Sequence, residues 1–213
     1  ENLSETITED VQKLTIDAVQ KASTSNEDVD LIAKVVSFVN EEIANQVVEE
    51  VSKTSTDDKQ TLSAKVLQAI VDIEPDKMEI INEEIKDTMI QQTIESAKNQ
   101  QEGTGIQEEE NFTDIVSDII VKTDTETASK MIEEINDIDT ETNLSLEVIS
   151  GISEKDENKL NDLSENIEDA MNELTIDAVQ KAENTSEDSD LIAQVVSVIN
   201  DDLVNVMIEE VSK

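Results

Sequence analysis

The chain has 213 residues, with 53 Asp plus Glu against 15 Lys plus Arg and a formal net charge of -38. All the cations are Lys, and Arg, Cys, His, Trp and Tyr are absent, which removes disulfides, thiolate or imidazole metal ligation and Ser-His-Asp or Cys-His nucleophiles. A surface this acidic repels polyanions, so neither nucleic acid nor an anionic membrane is expected as a partner.

Such a charge balance usually accompanies disorder. Ile, Val, Leu and Phe nevertheless make up 60 of the 213 residues, above the roughly 20% below which highly charged chains stay unfolded, and a folded chain is predicted. No run approaches the roughly 18 apolar residues of a membrane span, so no membrane insertion is expected. The start, Glu1-Asn2-Leu3, carries neither Met nor a basic-then-apolar leader and reads as an interior piece of a longer protein.

In chain order, residues 1–30 read as the long helix closing one repeat unit, 31–111 as a first full unit, 112–190 as a second and 191–213 as the start of another. The first unit opens with Leu31-Ile32-Ala33-Lys34-Val35-Val36-Ser37-Phe38-Val39-Asn40. Its polar positions fall three or four apart and leave a wide apolar face, as in a helix that must be buried. Val35, Val36 and Val39, with Val195, Val196 and Ile199 in the later copy, are the expected core of this face. Thr54-Ser55-Thr56-Asp57-Asp58 is expected to cap the next helix, which starts at Leu62, and Lys77 to Lys98 reads as one long helix with Met78, Ile81, Ile85 and Met89 inward. Asn99-Gln100-Gln101-Glu102-Gly103-Thr104-Gly105 is the best loop and a boundary between units. The second unit opens at Phe112, is capped again at Asp124-Thr125-Glu126, and continues with a helix at Leu144. A long helical stretch follows from Asp156 to Ala182, with Leu160, Leu163, Ile167, Ala170, Leu174 and Ala178 inward, and Ser186-Glu187-Asp188 is a further cap. Lys21, Lys53, Lys98, Lys122, Lys181 and Lys213 close apolar runs, where a cation suits the negative end of the helix dipole. Met78, Met89, Met131, Met171 and Met207 are expected in the core. With only three Gly and one Pro, the chain lacks the turn residues of a β-sandwich despite its many Ile and Val.

The repeat is explicit. Residues 3–53 and 163–213 align without a gap at a spacing of 160, with 29 of 51 pairs identical; Leu14-Thr15-Ile16-Asp17-Ala18-Val19-Gln20-Lys21-Ala22 recurs unchanged at 174–182. Segments opening at Leu31, Phe112 and Leu191 give a weaker period of about 80 residues, with Leu62 and Leu144 opening a second pair inside each unit. The expected fold is all-α: tandem helical hairpins, stacked as an α-solenoid or as successive small bundles.

Candidate chemistry is limited to oxygen ligands. Asp28 and Asp30, Asp137, Asp139 and Glu141, and Asp188 and Asp190 lie in loops offering several oxygens within a few residues, which suits weakly bound calcium. None has the glycine and spacing of an EF-hand, and helix capping accounts for the same residues. Acid pairs such as Glu41-Glu42, Glu83-Glu84 and Glu133-Glu134 are solvated helix faces without an aromatic platform for a sugar, so no enzyme activity or organic cofactor is expected. Four Asn-x-Ser/Thr sequons, at Asn2, Asn111, Asn143 and Asn184, match chance for this composition.

Low pI, no Cys, no Arg, few aromatics and long internal repeats together resemble the repetitive stalks of giant bacterial secreted adhesins and other surface proteins, although glycine-aspartate nonapeptides are absent. The resemblance implies an extracellular or cell-surface structural module, a spacer, stalk or scaffold, whose partners are neighbouring repeats of the same chain. The alternative is an acidic binding module for divalent cations, a mineral face or a basic protein.

Overall fold

The computed structural model describes residues 13–55, 61–104, 110–138, 142–182, 189, 190, 192, 193, 195, 196 and 201–211. The protein is all-helical, with no strand among these residues. Two compact units divide at Thr93 and Ile94, inside one helix.

In the first unit, helical residues 13–21 (α1) are followed by α2 (Asn26–Phe38), α3 (Glu41–Thr54), α4 (Leu62–Ile73), a 3-10 turn (Pro75–Ile80) and the start of α5 (Glu83–Gln101). Ser25 and Asn40 start α2 and α3, each accepting a backbone amide from the first turn. That satisfies donors the helix itself leaves unpaired. α2 packs on α3 and most extensively on α4, and α3 and the 3-10 turn also pack on α4. α4 is consequently buried on nearly all sides: Leu62, Ala64, Val66, Leu67 and Ile70 have no exposed surface.

The second unit contains the end of α5, then α6 (Phe112–Lys122), α7 (Thr125–Asp137), α8 (Leu144–Lys155), α9 (Glu157–Asn166), α10 (Glu168–Lys181) and α11 (Asp201–Val211). α6 packs on α7 and most extensively on α8, α9 packs on α8, and α10 is in contact with α7, α8, α9 and α11. Asp124 caps α7 through the Thr127 amide at 2.7 Å, and Asp156 caps α9. The α6–α8 approach is close because Gly151 of α8 faces Ser117; a methyl group there would lie 2.9 Å from the Ser117 Cβ and nearer still to its Oγ.

Expected cores and ends are largely found. The five methionines are all buried, α4 and α8 begin at Leu62 and Leu144, and Lys21, Lys53, Lys98, Lys122 and Lys181 stand in last turns, Lys213 being outside the described residues. Val36 and Val195 are buried, Val35, Val39 and Val196 are half-buried, and Ile199 is outside the described residues.

Several expectations are corrected. The stretch expected as one helix from Lys77 is a 3-10 turn and then α5, because Asn45 of α3 donates to the Ile80 carbonyl and accepts the Asn82 amide, holding the chain open between them. The stretch from Asp156 breaks likewise at Ile167, between α9 and α10. α2 begins at Asn26, before Leu31. Thr54 and Ser55 end α3, with the Ser55 hydroxyl donating to the Val51 carbonyl, and do not cap α4, whose N-cap is Thr61; residues 56–58 and 186–188 are outside the described residues. The expected loop starts late: Asn99 to Gln101 still belong to α5. Gly103 takes φ 68, with its amide on Gln100 O and the Thr104 amide on Asn99 O, a left-handed cap that glycine adopts without steric cost.

Many hydroxyls inside the core bond back along their own chain, although Ser63 and Ser145 bond across elements and Ser117 also donates to the Val148 carbonyl. Ser37, Thr93, Ser117, Thr123, Ser164 and Thr175 each donate to the carbonyl four residues earlier, at 2.7 to 3.0 Å.

Candidate functional site

Asp28 is the acidic candidate with the most defined surroundings. Ser25 accepts the Asp28 amide, while the Asp28 carboxylate accepts the Ser23 amide at 2.8 Å and the Ser23 hydroxyl at 2.6 Å. This reciprocal arrangement around the start of α2 directs the carboxylate back onto its own backbone. Asp30, Asp137 and Asp190 are exposed on helices, whereas Asp139, Glu141 and Asp188 lie outside the described residues. Among the described residues no three acids converge in a way that could hold a metal ion.

The lysines have more specific placements than their sequence positions suggested. Lys65 and Lys86 are buried, at 8% and 4% exposure. Lys65 Nζ donates to the Thr24 carbonyl at 3.2 Å, and Lys86 Nζ lies 2.8 Å from Glu83 and 3.5 Å from the Met78 carbonyl. Lys159 is half-buried and donates at 2.7 Å to the carbonyl of Thr123, the residue that ends α6. Burial pushes the Lys159 ammonium below the usual lysine range, against the pull of Asp124, Asp162 and Asp156. Lys86 and Lys159 carry a cation to the carbonyl end of a neighbouring turn or helix, whereas Lys65 satisfies a carbonyl in the segment just ahead of α2. Apart from the Lys86–Glu83 pair one turn apart, sequence spacing does not mark them, since the carbonyls they reach are 8 to 41 residues away. On the surface, Lys53 bonds Glu49 one turn earlier, which raises its pKa, and the pair borders a polar depression of about 480 Å³ with Ser52, Asn82 and Glu84.

The feature with the character of a binding surface is apolar. A groove of about 310 Å³ runs between α1 and α2 over α3, lined by Leu14, Ala18, Leu31, Val35 and Val47. Leu14 and Leu31 are 69% and 56% exposed, and Phe38, one and two turns beyond Val35 and Leu31 on α2, is 86% exposed. Periodicity predicts the Leu31–Asn40 face as core, whereas Leu31 is exposed and Val35 half-buried, because exposure depends on which elements cover the face.

Among the described residues no helix is long and apolar enough to cross a membrane. No protein-family model, curated protein or solved structure matches the chain.

Proposed function

We propose that the chain is a structural repeat module of a larger acidic extracellular or cell-surface protein, serving as spacer, stalk or scaffold without catalysis. The observation that carries this reading is the duplication of 3–53 at 163–213 with 29 of 51 identities. The succession of helices supports it: α2, α3 and α4 in one unit and α6, α7 and α8 in the other follow one order, with the first helix of each trio packed most heavily on the third. α3 begins at Glu41, and its counterpart at a spacing of 160, Asp201, is the first described residue of α11. Units of this kind bury a continuous core by stacking, and what they supply is length, stiffness and a recurring surface. A formal charge of -38 keeps such chains soluble and separate and makes their compactness depend on salt.

The commitment of Asp28 to its own helix start favours this reading over a dedicated cation site. Titration calorimetry with calcium, paired with thermal melts, tests it. The expected result is a modest stabilisation that sodium chloride reproduces at matched ionic strength. Saturable calcium binding at micromolar to millimolar concentration, with a large rise in melting temperature, overturns it in favour of an acidic binding module.

A further inference from the structure

The same nine residues occupy two environments in this chain. Leu174 and Ala178 of α10 have no exposed surface, and Thr175 is buried with them, while the identical Leu14 and Ala18 of α1 are exposed. α10 is in contact with α7, α8 and α11. α11 corresponds at a spacing of 160 to α3, which already borders α1: Val47 lines the groove and Gln20 donates to Glu50 at 2.7 Å. Val19 of α1 and Ala22 just after it are buried, so the difference lies on the face that carries Leu14 and Ala18. α10 also touches α9, whose counterpart at a spacing of 160 falls outside the described residues, and the partners of α10 with no counterpart ahead of α1 in this chain are α7 and α8. The polar contacts agree. Ser145 of α8 donates to Asp177 at 2.5 Å and Asn136 of α7 donates to the Ala170 carbonyl, whereas the counterpart of Asp177, Asp17, is exposed.

We propose that the groove formed by Leu14, Ala18, Leu31 and Val35 is a docking face for a helix pair of the α7–α8 kind, supplied by a further copy of the repeat placed N-terminal to it in the same polypeptide. This rests on the structural-repeat reading and adds to it the surface through which copies join. An apolar face of this kind, with the leucines this exposed, gains by being covered. In a second molecule the α7–α8 pair is already engaged on its own α10, which favours a copy in the same polypeptide as the source of the cover.

The test joins an additional copy of residues 94–162 directly ahead of Leu3 of the full chain, reproducing the junction at Leu163. Hydrogen exchange at amides 14–22 is expected to slow by about tenfold or more relative to the original chain. Leu14→Glu should leave the melting temperature of the original chain nearly unchanged and lower that of the extended chain by several degrees. Unaltered exchange at 14–22, an added segment that circular dichroism shows to be unfolded, or dimers of the original chain that Leu14→Glu abolishes would each overturn the inference. An experimental structure separates the two readings: if 3–53 and 163–213 superpose while the groove gains no protection, only the docking inference fails; if they do not superpose, both fall.

Discussion

α1 and α10 share the stretch Leu-Thr-Ile-Asp-Ala-Val-Gln-Lys-Ala and both are helical from its Leu to its Lys, yet one presents its leucine to water and the other encloses it. Local sequence sets the helix and the direction of its apolar stripe; neighbouring elements set whether the stripe is core or surface. The two phenylalanines make the same point. Phe112, at the first position of α6, has no exposed surface, and Phe38, at the last position of α2, is largely in solvent.

Truncating the leucines breaks this comparison most sharply. Leu174→Ala is expected to cost about 2–5 kcal/mol, as a buried leucine does when it leaves a cavity, while Leu14→Ala should stay within about 0.5 kcal/mol. Urea denaturation of both variants decides it, and similar losses would mean that α1 is covered after all. A smaller effect is expected at the α6–α8 contact. Counting from the helix starts at Leu62 and Leu144, α4 carries Ala69 where α8 carries Gly151. Gly151→Ala would gain about 1 kcal/mol of helix propensity and lose about 1–3 kcal/mol against Ser117. Net destabilisation, partly recovered in the Gly151→Ala, Ser117→Ala double variant, is the expected outcome of a denaturation cycle.

The smallest effect concerns pH. Because burial depresses the Lys159 pKa, the folded chain releases that proton at lower pH than the unfolded chain, whose value is near 10.5. Between those values the unfolded state holds more protons, so the Lys159 contribution to stability rises with pH and is complete above 10.5. Lys53 acts oppositely: its raised pKa contributes stability below 10.5 that is lost as pH rises through the raised value. Lys159→Met should therefore make stability fall more steeply, or rise less, with pH just below 10.5. Denaturant midpoints across that window check it.

The helices themselves were legible because their apolar residues recur every three or four positions and their ends carry Asn, Asp, Ser and Lys. Leu62, Leu144 and the Asp124 cap were read correctly on those grounds. The interruptions at Ile81–Asn82 and Ile167 were not legible, since the apolar spacing continues through them. At the first, what opens the chain is Asn45, 35 and 37 residues away. The inward lysines escaped for the same reason: Lys65 reaches Thr24 across 41 residues. The groove was invisible to periodicity because an uncovered apolar stripe and a covered one have the same spelling.

The way hydroxyls such as Thr93 and Thr175 are satisfied bears on how such a chain could grow or shrink. A core whose oxygens looked across to a particular mate would orphan them whenever that mate was swapped. Here those hydroxyls look back along their own coil, so what a new neighbour must match in polarity narrows to a few side chains such as Ser145 and Asn136. Lengthening such a chain by one more copy, or trading one copy for another, would then require fit without polar bookkeeping at those positions.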